Sequence, residues 1–93
     1  MRLEFVAPLV RTRHGRATIH LVELPEEVAD LLNDLPLARH GFGSIKVEAQ
    51  VGTTIWKTSV FPDGSGFLLL IAKRVIGAEL LVADAATTVA LTV

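Results

Sequence analysis

Between Gly41 and Pro62 the chain reads Gly-Phe-Gly-Ser-Ile-Lys-Val-Glu-Ala-Gln-Val-Gly-Thr-Thr-Ile-Trp-Lys-Thr-Ser-Val-Phe-Pro, and no other stretch restricts its fold as tightly. Ile45, Val47 and Ala49 alternate with Lys46, Glu48 and Gln50, the period of a strand with one face buried. Val51-Gly52-Thr53-Thr54 turns the chain round, and Ile55 to Phe61 returns. On the return, Trp56, Thr58 and Val60 share one face, while Ile55, Lys57, Ser59 and Phe61 share the other. The rest of the chain has to fit around this hairpin.

With 93 residues in all, there is room for a single domain, residues 1–93, with a single core. Apolar residues make up 51% of the chain and the net charge is −1, which argues against disorder. The same balance gives no global electrostatic reason to expect nucleic acid. There is no cysteine, so neither a disulfide nor a thiolate metal site can help hold the fold. Met1 to Phe5 alternates polar and apolar residues without the apolar run of a signal peptide. The longest apolar run, Phe67 to Ala72, stops at Lys73 and is far too short to cross a bilayer. The expectation is a soluble cytoplasmic protein.

Taken in order, Leu3, Phe5 and Ala7 mark a first strand that Pro8 bends, ends or places on an edge. Arg11 to Arg16 reads as a polar turn around Gly15, and Thr18 to Leu24 as a second strand completing a hairpin with the first. Pro25 suits the first position of a helix, with Glu26 and Glu27 at the positive end of its dipole. Val28, Leu31, Leu32 and Leu35 give that helix an apolar stripe, and Asn33 and Pro36 mark its exit. Pro36 to Gly43 is a loop, and Pro62 to Gly66 a turn built by proline, aspartate and glycine.

The uninterrupted apolar run from Phe67 predicts a strand buried on both faces. Lys73 to Gly77 suits one helical turn, Glu79 to Asp84 has no clear period, and Thr87 to Val93 closes as a strand. The predicted class is mainly β: a closed or partly closed small barrel with one short helix after the second strand.

The run Gly41-Phe-Gly-Ser-Ile-Lys-Val-Glu-Ala, then Val51-Gly, then Trp56-Lys-Thr-Ser-Val-Phe-Pro62 resembles the family called DUF1905, a domain of unknown function. Phe5 in the first strand and Leu24-Pro25 before the helix extend the resemblance over nearly the whole chain. It implies a Greek-key-like β-barrel similar to the double-split barrels of AbrB- and MazE-type regulators. It implies no particular activity, cofactor or catalytic residue. Two positions depart from the family pattern: Lys73 and Arg74 are adjacent rather than a turn apart, and Ala83-Asp84 stands where Gly-Asp is expected.

Core packing is the favoured role for Trp56, an aromatic platform beside a pocket the alternative. His14, His20 and His40 lack the spacing of metal ligands, so no metal is expected; His14 and His40 read as solvated and His20 as packed in its strand. Ser44, Thr58 and Ser59 have no base placed beside them, and Gly41-Phe-Gly-Ser is not followed by the Gly-Lys-Thr of a phosphate loop. No catalytic residue and no cofactor are therefore assigned, and the balance is against an enzyme.

Arg11, Arg13 and Arg16, with Arg39 as an outlying member, form the main charge feature. Residues 1–22 carry four arginines against one glutamate, whereas residues 23–34 carry five acids and no base. A solvated hairpin tip is the favoured account of this asymmetry, steering of an anionic partner the other. Three functions follow. The first is a non-catalytic binding or interaction module, joined to a protein partner or to its own copies. The second is a nucleic-acid-binding regulator, suggested by the AbrB-type resemblance and opposed by the near-neutral charge. The third is a small-ligand pocket around Trp56 and His20.

Overall fold

The computed structural model describes residues 1–93. Seven strands run β1 (Arg2–Pro8), β2 (Val10–His14), β3 (Ala17–Glu23), β4 (Ile45–Val51), β5 (Thr54–Asp63), β6 (Gly66–Leu70) and β7 (Ala86–Thr92). Two helices, α1 (Glu26–Asp34) and α2 (Lys73–Ala78), interrupt them. All ladders are antiparallel, in the order β1-β7-β4-β5-β6-β3-β2, and the sheet curls into a half-barrel around its core.

The β4–β5 hairpin forms in the register its alternation predicts, with Ile45 opposite Val60 and Ala49 opposite Trp56. Adjacent ladders extend both pairs into rows across the sheet. Val22, Leu69, Val60 and Ile45 make one row of buried branched side chains. Trp56, Ala49, Leu91 and Leu3 make another, in which small Ala49 leaves room for the indole. Cross-strand neighbours lie with Cβ atoms about 4.5–5.5 Å apart, so each row is continuous packing.

Three features of the first third differ from expectation. The polar turn predicted over Arg11–Arg16 is mostly strand β2, and only Gly15 and Arg16 turn. β3 therefore pairs with β2, while β1 pairs along its whole length with β7. The helix consequently follows the third strand, not the second. β1 and β2 are separated by Leu9 alone yet lie at opposite ends of the strand order. Leu9 is fully buried; its N–H donates to Ala85 O (3.0 Å) and its O accepts from Asp84 N–H (2.7 Å).

α1 has Pro25 at its N-cap, where the proline carbonyl accepts from the N–H groups of Val28 and Ala29. Its buried residues are Ala29 and Leu32, whereas Leu31 of the predicted stripe is 37% exposed. β6 is covered on one face only: Phe67, Leu69 and Ile71 point inward, and Leu70 reaches solvent. β5 continues through Pro62 to Asp63, so the turn there is confined to Gly64 and Ser65. Phe42 sits in a short 3-10 turn with φ +59 and is 95% exposed.

α2 supplies the helical turn expected after Lys73 and buries Val75. Just beyond it, the Glu79 carboxylate accepts hydrogen bonds from Thr54 Oγ (2.6 Å) and Thr53 Oγ (3.4 Å), tying the helix to the β4–β5 turn. Gly52 holds φ +58 in that turn, and a Cβ there would overlap the Glu79 carboxylate. Gly52→Ala is therefore expected to cost about 1–3 kcal/mol from the left-handed backbone and the displaced carboxylate together. Urea unfolding measures it, and a neutral substitution would show that Glu79 does not brace this turn.

Candidate functional site

β6 is half the length of β5, and that difference opens the sheet. The β5–β6 ladder covers only Val60–Asp63, and the β3–β6 ladder only Leu21–Glu23. At Leu70 the strand ends; the Ile71 N–H still donates to His20 O (2.8 Å), and the chain then leaves for α2. Below that point Ala17–His20 of β3 and Thr54–Ser59 of β5 face each other with no strand between them. The gap is a cleft of about 340 Å³, open to solvent, lined by Thr18 and His20 on one side, Trp56 and Thr58 on the other, and Ile71 and Lys73 at its base.

Strand parity decides which side chains meet there. Val22 faces the core beside Leu69, so Thr18 and His20 share its face. Across the β2–β3 ladder, Arg11 stands opposite His20 and Arg13 opposite Thr18, and directly opposed residues share a face. Trp56 and Thr58 lie on the matching face of β5, beside Val60. Thus, of the residues singled out in the sequence, Trp56 and His20 line the cleft, and Arg11 and Arg13 stand on the same face of the neighbouring strand. Arg16 lies in the adjoining turn and is exposed.

Arg39 does not join them. Its guanidinium donates to Gly43 O (2.9 Å) and Asn33 Oδ1 (3.0 Å) and lies 5.2 Å from the centre of the Phe67 ring. Phe67 is hydrogen-bonded to Leu24, four residues along from His20, which puts the Arg39 contact roughly 13 Å from the near end of the cleft. Its task is to brace the loop after α1 by hydrogen bonds and a cation–π contact.

Trp56 is only 8% exposed, so it is part of the core, and its remaining surface forms the cleft wall. His20 is half-buried, and its Nδ1 is fully buried without a hydrogen-bond partner. A buried polar atom left unpaired costs about 1–3 kcal/mol, which makes this imidazole the most unusual polar group in the molecule. The charges are uncompensated as well. Arg11, Arg13, Arg16, Lys73 and Arg74 are exposed, and the only ion pair in the structure joins Arg2 to Glu4.

Thr18, Thr58 and Lys73 were not singled out in the sequence as part of this site. Thr18 and Thr58 share parity with His20 and Trp56, and Lys73 is the residue that breaks the apolar run. Elsewhere the surface has other open depressions, such as one of about 450 Å³ over β4 and β5 bordered by Lys46, Lys57 and Phe61. None of them contains a buried unpaired polar atom. No three His, Cys, Asp or Glu side chains converge in a way that could hold a metal ion, and no helix is long and apolar enough to cross a membrane.

Fold and cleft together define a small, mainly antiparallel β protein: a curled half-barrel whose sheet is split on one side. Within that class the chain belongs to the family described as a domain of unknown function (DUF1905), whose model matches residues 5–91. No curated protein and no solved structure matches it.

Proposed function

We propose that this protein is a non-catalytic binding module whose ligand is a small molecule held in the cleft between β3 and β5. One observation carries the reading: the strand registers set His20, with Arg11 across the ladder from it, against Trp56 on the facing wall. The cleft has the usual make-up of a ligand site, an aromatic and aliphatic lining with a few polar groups aimed into it. It also has the volume of a small one. The bend at Leu9, which lets nearly continuous chain serve both ends of the sheet, supports a partly closed barrel of the double-split kind.

Trp56 is the sole tryptophan and there is no tyrosine, so indole emission reports directly on this wall. Titrating the protein with a small-molecule library is expected to yield saturable changes in Trp56 emission. Those changes should disappear when Thr18→Phe fills the cleft from the opposite side, with far-ultraviolet circular dichroism unchanged. If no compound gives a saturable change while the folded protein is intact, the cleft is not a binding site.

A further inference from the structure

We infer that the ligand is a small organic anion, a single aromatic or heteroaromatic ring carrying one phosphate or carboxylate group. This rests on the cleft being the binding site and specifies what it takes. Lys73 lines the cleft, Arg11 and Arg13 stand on the adjoining strand opposite His20 and Thr18, Arg16 and Arg74 follow in the next turn and in α2, and none of these five exposed cations has a carboxylate within ion-pair distance. Five acidic residues are gathered instead at the far end of β3 and on α1, at Glu23, Glu26, Glu27, Asp30 and Asp34, and the Glu79 carboxylate just past α2 is engaged by the Thr53 and Thr54 hydroxyls. That separation leaves a positive field focused at the mouth of the cleft.

Arg11 and Arg13 are two residues apart on one face of β2, a spacing of about 7 Å along the strand, which suits two guanidinium groups gripping one anionic head. His20 adds an imidazole to the cleft wall, and its buried Nδ1 has no hydrogen-bond partner in the protein. Deeper in, Trp56 and Ile71 give apolar surface that no second anionic group would match, and stacking or edge contact with the indole favours a flat ring there. The volume of about 340 Å³ limits the ligand to one ring and its substituent. A long polyanion fits poorly, because the acidic face of α1 repels it and the whole chain carries −1.

The test uses the full chain and four matched probes: phenyl phosphate, benzoate, benzyl alcohol and benzylammonium, followed by Trp56 emission and by calorimetry. Either or both aryl anions are expected to bind at least tenfold more tightly than the alcohol, and benzylammonium more weakly still. The double variant Arg11→Gln/Arg13→Gln should lose that tenfold advantage while keeping the wild-type melting temperature, since both side chains are exposed. Raising sodium chloride from 50 to 300 mM should weaken the anions and leave the alcohol unchanged. Equal binding of the alcohol or the cation, or an unaltered double variant, overturns the anion assignment and leaves the cleft as a ligand site of another class. No response to any of the four, together with none to the wider library, overturns the binding reading itself. A single-stranded oligonucleotide that binds more tightly than the aryl anions replaces the small anion with a nucleic acid.

Discussion

Replacing Trp56 with alanine is expected to lower the free energy of unfolding by about 3–5 kcal/mol, measured by urea or guanidinium denaturation. The indole is 8% exposed and lies in the row formed with Ala49, Leu91 and Leu3. Ala49 cannot expand into the space the indole would vacate. Neither can the strands close over it, because β4 and β5 are fixed by their ladder on one side and β4 and β7 by theirs on the next. A cavity that cannot relax is the expensive kind. Against a total stability of about 5–15 kcal/mol for a domain of this size, the loss is a large fraction, and the melting temperature should fall by more than roughly ten degrees. Trp56→Phe should recover much of it, since a ring still fills the row. A loss under about 1 kcal/mol would mean that the indole hangs in the cleft without supporting the core, and the row would have to be redrawn.

The hairpin around Trp56 was legible because its signals are local and agree with one another. Alternation over Ile45–Ala49 sets the buried face, Gly52 supplies the turn, and the turn fixes the register that brings Trp56 onto that face. β2 was not legible, and the reason is physical. It is an edge strand with one face on an open cleft, so Arg11 and Arg13 occupy the positions where alternation normally shows apolar residues. Charged residues on such an edge also discourage pairing with another sheet, so a polar sequence and a strand are compatible there. The β1–β7 pairing joins residues at the two ends of the chain, and alternation identifies strands without naming their partners.

The candidate site shows the same division. Trp56, His20, Arg11 and Arg13 were each visible as unusual residues, but their meeting depends on β6 stopping at Leu70, which no local pattern states. The run from Phe67 to Ala72 concealed that end, because an unbroken apolar stretch looks like a strand covered on both sides. Its outward Leu70 is in fact exposed. Arg39 was grouped with the other arginines on charge alone. The contacts that hold it, Asn33, Gly43 and the Phe67 ring, come from three separate segments.

Leu9→Ala is expected to cost about 3–5 kcal/mol, as much as loss of the tryptophan, although the side chain removed is far smaller. Leu9 is fully buried in the same core and is the one residue joining β1 to β2. Its backbone is clamped by hydrogen bonds to Ala85 and Asp84, so the bend that redirects the strand from one end of the sheet to the other cannot shift to fill the space. The upper part of the usual range for a buried leucine therefore applies. The position also makes a prediction that a simple cavity does not. Amide exchange should quicken together in β1, paired with β7, and in β3, paired with β2, because both ladders depend on this junction. Val10→Ala, one residue on and half-buried, should cost about 1 kcal/mol and leave β1 protected. If Leu9→Ala loosens the β2–β3 arm while β1 keeps its protection, the two strand segments are independent and Leu9 is merely one more core leucine. If both loosen, the half-barrel is held in its curl by a single bent strand, and the width of the cleft between β3 and β5 depends on that bend.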